Sequence, residues 1–337
     1  MTATVDPPTV PPVGRHQGPP AAPPRPAPAP AAGGAPASPV GPPTRATPTR
    51  ASRSVEIPAV RVTGTVLTLL GVLLLAFVVH LTLISQLRYE RAQQTAYADF
   101  RKDLAEGVAP VGQTDLDGEL LRPGTSVAVL RIPVLGTRQV VFEGTTGAVL
   151  QNGPGHRRDT VLPGQPGTSV VLGRHAGYGG PFAGLSLLTP GDEIVVVTGQ
   201  GEHRYQVTGL RRPGDPLPPR LADGAGRLTL ATADGRPYLP DNVLYADADL
   251  VSPAQPSPQR RFGAQSLTAA EQAMAGDPAA WVPLVLWGQA LLIAAYAVSW
   301  AWARWGGWQA WVSGMPPLAV LGLTVADQAV RLLPNLY

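Results

Sequence analysis

Three long apolar stretches divide the chain, with a series of short alternating segments between the first and the second. Residues 62–87 carry no charge, and their polar members are Thr63, Thr65, Thr68, His80, Thr82, Ser85 and Gln86. A helix needs about 20 apolar residues to cross a bilayer, so this run is long enough. No small-x-small cleavage site follows it, so it reads as an uncleaved anchor rather than a signal peptide. Residues 281–303 are also free of charge, with tryptophans at both ends as suits headgroup-level anchors. A short turn at 304–308 follows, and 310–333 returns across the membrane. The pattern predicts three transmembrane α-helices, at 59–87, 281–303 and 310–333. The arginines ahead of the first place the N-terminus in the cytoplasm and residues 88–280 outside it.

Between the first two runs the period changes twice. Tyr89, Ala92, Ala96, Phe100 and Leu104 recur at helical spacing until Gly107 and Pro110, which predicts a stalk helix within 88–120. From Ser126 onward the segments 126–132, 139–143, 169–173, 193–198, 204–210, 227–232 and 243–247 are short, mostly rich in Val, Leu and Ile, and separated by Gly- and Pro-bearing turns. That pattern predicts an all-β domain over 121–250, either a sandwich or a small closed barrel. A Pro/Ser-rich linker with a short juxtamembrane helix is expected over 251–280.

Composition refines this picture at a few points. Residues 1–58 hold 17 of the 39 prolines and cannot bury enough apolar surface to offset their ordering entropy, which predicts a disordered cytoplasmic tail. A net charge of +3 without a basic, aromatic-interleaved stripe argues against nucleic acid as a partner. The absence of cysteine excludes disulfides, Cys-ligated zinc and thiol catalysis together. No cofactor or metal is expected, because His156 reads as part of a turn and His203 as a hairpin tip, neither with a partner that suggests ligation. His80, Asp327 and Arg331 fall in the apolar runs. They read as structural groups, His80 bonded to a neighbouring helix and the other two able to pair four residues apart or to snorkel.

Six strings then occur in a telling order: Leu130-Arg131-Ile132-Pro133, Glu143-Gly144-Thr145-Thr146, Gly153-Pro154-Gly155-His156, Leu162-Pro163-Gly164-Gln165-Pro166-Gly167, Tyr178-Gly179-Gly180-Pro181-Phe182 and Thr189-Pro190-Gly191-Asp192. Thr229-Leu230-Ala231-Thr232-Ala233 follows. Together they resemble actinobacterial class E-like sortases over about residues 121–250. The resemblance implies an eight-stranded barrel with a groove for a sorting-signal peptide of the LPxTG or LAxTG kind, which active relatives cut through a Cys thioester at the cell surface and pass to an amine on the cell wall or a pilin.

Laid over the family's TLxTC, the string Thr229–Ala233 puts Ala233 at the thiol position, and a methyl group cannot attack. Thr232 is one residue earlier and so points to the opposite face. The family's Gly-His-Arg becomes Gly173-Arg174-His175, with Arg174 at the histidine position and His175 one step past it. Counting back from Tyr245-Ala246 places Asp241 or Asn242 where relatives carry arginine, and Arg236 is a poor stand-in. Acyl transfer needs a nucleophile, a proton-handling partner and an oxyanion-holding donor. All three positions are vacant or displaced, so no catalytic residue is expected among these vestigial positions.

Three functions follow: a membrane-anchored pseudo-sortase that binds a sorting-signal peptide or a surface-protein partner without cleaving it; a cysteine-independent transpeptidase or hydrolase using Thr232 or another hydroxyl with His175; or a membrane scaffold whose C-terminal hairpin makes the partner contact. Small residues on that hairpin (Ala290, Ala294, Ala297 and Ala301) suit close helix packing with another membrane protein. A groove still lined by apolar residues beside Ala233 favours the first. A groove filled by Arg174 or a loop favours the third.

Overall fold

The structure, a computed structural model, describes Gly71 and residues 75–337 except Gly306. The expected cytoplasmic tail at 1–58 and most of the first expected span lie outside these residues.

A π-helical turn at His80–Ile84 leads into α1 (Ser85–Glu106). Then come β1 (Ser126–Ile132), β2 (Thr137–Glu143), the short α2 (Gly147–Leu150), β3 (Gly155–His156), β4 (Gly167–Leu172), β5 (Glu193–Thr198), β6 (Gly201–Arg211), β7 (Gly226–Arg236) and β8 (Leu239–Leu250). Two long helices, α3 (Trp281–Trp305) and α4 (Gly307–Leu332), end the chain.

The strands close into a barrel in the order β1-β2-β3-β4-β7-β8-β6-β5. Closure leaves no free edge to pair with another chain. Two neighbouring pairs, β2–β3 and β4–β7, are parallel and the rest antiparallel. Alternation along each strand sends Leu130, Ile132, Val171, Ile194, Leu228, Leu230, Leu244 and Ala246 into one interior cluster with Phe182. Of the eight strands, β3 was not anticipated from the alternation: two residues are too few to show a period.

The helix predicted for the stalk exists, but it is a wall of the domain rather than a free stalk. Ala96 and Phe100 bury against Val129, Val140, Phe142 and Val149 on the outer face of the barrel. Gln93 is stitched to the same surface: its amide nitrogen donates to the Val140 and Asn152 carbonyls at 3.1 and 2.8 Å, and its oxygen accepts from the Val140 amide at 2.7 Å. Gly107, at φ +71°, ends the helix in the left-handed cap that glycine adopts without penalty.

Residues 251–280 depart from expectation too. In place of a juxtamembrane helix they hold three single 3₁₀ turns, at Ala264–Ser266, Ala269–Glu271 and Pro278–Ala280. The segment is held to the barrel at its middle, where Gln113 accepts from the Phe262 amide at 3.0 Å and the Arg158 guanidinium lies 4.2 Å from the Phe262 ring centroid.

Among the described residues one helical stretch, Pro278–Val298, is long and apolar enough to cross a membrane, and its most apolar part is not buried within the protein. The third expected span is a continuous helix, α4, but it contains Pro316, Pro317, Asp327 and Arg331 and does not qualify on the same grounds. Of the two options for Asp327 and Arg331, pairing with each other or snorkelling, neither is taken, and both make contacts to other elements. Asp327 lies 2.9 Å from His80 Nε2 and also meets Arg88, while Arg331 meets Asp277.

If α1 is part of the domain's core, Phe100→Ala removes a fully buried aromatic and costs about 3–5 kcal/mol of stability. Thermal unfolding of the detergent-solubilised full chain, followed through the barrel's β signal, is expected to shift down accordingly. An independent stalk would leave that transition unmoved.

Candidate functional site

Strand β7 carries the string Thr229–Ala233 and sits between β4 and β8. Leu228 and Leu230 point into the barrel, whereas Ala231 and Ala233 belong to a separate cluster outside it with Leu150, Leu172, Val243 and Leu336. By the same alternation Thr232 shares the inward face. It is buried, and its hydroxyl has no hydrogen-bond partner. Ala233 and Thr232 therefore face different compartments.

Just past β4, the Gly173 amide continues the parallel ladder to the Ala231 carbonyl at 2.9 Å. Glycine is required here, since a Cβ on Gly173 would lie 2.4 Å from the Phe182 ring. Arg174 follows and is completely buried. Its Nε donates to the Leu150 carbonyl at 3.2 Å and its Nη2 to the Gly147 carbonyl at 3.1 Å. The guanidinium lies 4.5 Å from the ring centroid of Tyr337 and 5.0 Å from that of Tyr178. No carboxylate among the described residues pairs with it. Burial pushes the hydroxyls of Tyr178 and Tyr337 above the ordinary tyrosine range, so both rings stay neutral.

His175 is half-buried, and its amide donates to the Leu336 carbonyl at 2.9 Å. The next amide, of Ala176, donates to the Tyr337 carbonyl at 3.0 Å. Asp241 and Asn242 are exposed at a bulge in the β7–β8 ladder, where Asn242 faces Asp234. Arg236 is exposed beyond the bulge. The charged group near His175 is Asp234, whose carboxyl is held below its usual range by a hydrogen bond from Arg212. The structure thus brings Arg174, Ala233 and the segment 335–337 together, and leaves Asp241, Asn242 and Arg236 at the surface.

Two histidines stand differently from their sequence reading. His156 is not a turn residue: it lies in β3, fully buried, directly opposite Glu143 in the parallel β2–β3 register. Its Nδ1 is 2.8 Å from Glu143 Oε2 and its Nε2 is 2.9 Å from the Val161 carbonyl. Burial alone would push the imidazole pKa down, but the Glu143 carboxylate and these acceptors more than offset it and raise the pKa above 6.5. His203 lies within β6 rather than at a hairpin tip, 3.0 Å from the Thr198 hydroxyl, and burial lowers its pKa.

Residues 130–245 match the family model described as the sortase domain. Among solved structures, sortase E from Streptomyces avermitilis is 33% identical, covers 39% of this chain and 91% of its own, and has a TM-score of 0.34. The SrtA sortase from Actinomyces oris is 27% identical over 40% of this chain and 83% of its own, with a TM-score of 0.35. A Clostridium perfringens sortase D5 transpeptidase is 22% identical over 48% of this chain and 99% of its own, at a TM-score of 0.39. No curated protein matches. TM-scores this low carry no weight of their own; the family rests on the domain match and on the identity to sortase E. The chain belongs to the sortase family. It is a degenerate member, with no cysteine in its 337 residues.

Two outcomes follow from this geometry. Arg174→Ala strips two charge-assisted bonds to carbonyls and two ring contacts, and is expected to cost about 2–4 kcal/mol. That appears as a lowered thermal midpoint of the full chain. The His156–Glu143 pair makes stability pH-dependent with a definite sign. Because the folded pKa is raised, its contribution is complete below the unfolded value of about 6.5 and fades as pH rises through the folded value. In Glu143→Gln, burial dominates and the sign inverts, so thermal midpoints of the two proteins across pH 5–8 (about 1.5 units either side of the unfolded value) should slope in opposite directions.

Proposed function

We propose that the protein is a membrane-anchored pseudo-sortase that does no acyl transfer and serves as a scaffold or binding member of a surface assembly. The observation that carries this reading is the setting of Ala233. Its methyl group is sealed in an apolar cluster of Leu150, Leu172, Val243 and Leu336. The neighbouring Arg174 is committed to the Gly147 and Leu150 carbonyls. An oxyanion needs a preorganised donor aimed at open space, whereas Nε and Nη2 are spent on the protein's own backbone and Nη1 is buried. A hydroxyl mechanism through Thr232 finds no support, since that side chain faces the barrel interior.

The scaffold reading is favoured over open peptide capture because Leu336 occupies the space beside Ala233. The membrane arrangement we propose has three spans, a cytoplasmic N-terminus and an extracytoplasmic barrel. The Arg331–Asp277 contact supports it by joining the last turn of α4 to the start of the α3 region, so the chain leaves and re-enters the membrane on the barrel's side. The partners this reading implies are the membrane and other surface or membrane proteins.

Incubation of the purified full chain with fluorogenic LPxTG and LAxTG peptides is expected to give no cleavage. Ala233→Cys is expected to give none either, because Arg174 and Asn242 leave the thiol without its two helpers. Turnover by the wild type, or its appearance in Ala233→Cys alone, would overturn the reading.

A further inference from the structure

We infer that the surface formed by Arg174, residues 175–176 and the cluster around Ala233 is an intramolecular peptide-docking site, and that its resident ligand is Asn335-Leu336-Tyr337 of the same chain. The inference deepens the non-catalytic reading by naming what fills the vestigial groove.

Each of the three residues is recognised separately. Asn335 is fully buried, and its side-chain amide donates to the Thr145 carbonyl at 3.0 Å and the Gln272 carbonyl at 2.9 Å. Its own backbone amide donates to the Ala275 carbonyl at 2.9 Å. Leu336 is fully buried in the pocket that includes Ala231 and Ala233. Tyr337 lays its ring on the Arg174 guanidinium and is 2% exposed. Two successive groove amides, of His175 and Ala176, take the Leu336 and Tyr337 carbonyls. Polar side chain, apolar side chain, aromatic ring and backbone are thus all read. All four are met within three residues.

The fit also defines the ligand class: an Asn-Leu-aromatic tripeptide in a turn closed by the Tyr337 amide on the Pro334 carbonyl, with a neutral ring. A ligand of that class offered from outside must first displace residues 335–337. The site is therefore closed at rest and opens when the end of α4 moves away from the barrel.

Ala233→Cys places the chain's sole thiol in the pocket, and its labelling by a maleimide can be timed in the full chain in nanodiscs. Labelling is expected to be at least about tenfold slower than at the exposed Glu202→Cys. Adding Leu336→Ala and Tyr337→Ala is expected to recover most of that difference. A fluorescent peptide with the sequence of residues 331–337 should bind the Leu336→Ala/Tyr337→Ala protein saturably and the wild type not at all. Since the double variant can lose its fold, hydrogen exchange on the unaltered chain provides an independent reading. The amides of His175 and Ala176 are expected to be protected for minutes or longer. Exchange within seconds, labelling of Ala233→Cys as fast as the exposed control, or equal peptide binding by both proteins overturns the inference. Saturation that depends on protein concentration would assign the ligand to a second copy and overturn the intramolecular part. Peptide cleavage in these samples would defeat the functional reading while leaving the docking measurements to stand or fall by themselves.

Discussion

A positive charge buried with no carboxylate paired to it among the described residues is the constraint around which the site is organised. Removing a guanidinium from water is expensive unless its donors and its charge are both met. Arg174 answers the charge with two carbonyls from the α2 turn and two aromatic faces, one from the loop after β4 and one from Tyr337, while its Nη1 is buried without a hydrogen-bond partner. Neutral rings and peptide carbonyls replace the anion that a buried arginine usually finds. The arrangement holds only while Tyr337 is in place, so the charge couples the barrel to the end of α4.

The barrel was largely legible in the sequence because its strands are apolar, β-branched and bounded by glycine and proline. The vestigial site was legible in part. Ala233 and Arg174 could be placed by motif alignment, since β4 and β7 run parallel as neighbours and keep the two positions in step. What could not be read was their occupant. Asn335-Leu336-Tyr337 follows an apolar helix directly, and nothing local distinguishes a docked end from a frayed one. The contact spans some 160 positions, from Ala176 to Tyr337, and no periodic signal reaches that far.

The same limit explains His156 and Glu143. Both stood in strings that mark the family, thirteen positions apart, and each looked like part of a turn or a strand end. Their pairing depends on β2 and β3 lying side by side in parallel, a relation between two strands of which one is only two residues long. The α1 helix shows the converse. Its spacing was visible, but whether its apolar stripe met a barrel or another partner was a tertiary fact. Gln93, the polar residue that stitches it down, has no place in a hydrophobic pattern at all.

The contacts at Asn335 to Tyr337 have a mechanical meaning as well. A barrel carried on one helix is a swivel, free to turn about its stem and to tip toward or away from the surface beneath it. Here α1 is fastened along the barrel wall, and the turn that follows α4 is fastened beside β4 and β7. Two attachments at separate points on a rigid body remove rotation about either one. The domain is held as a bracket, with one fixed face toward whatever lies alongside it, and any partner must approach the face that this geometry leaves open.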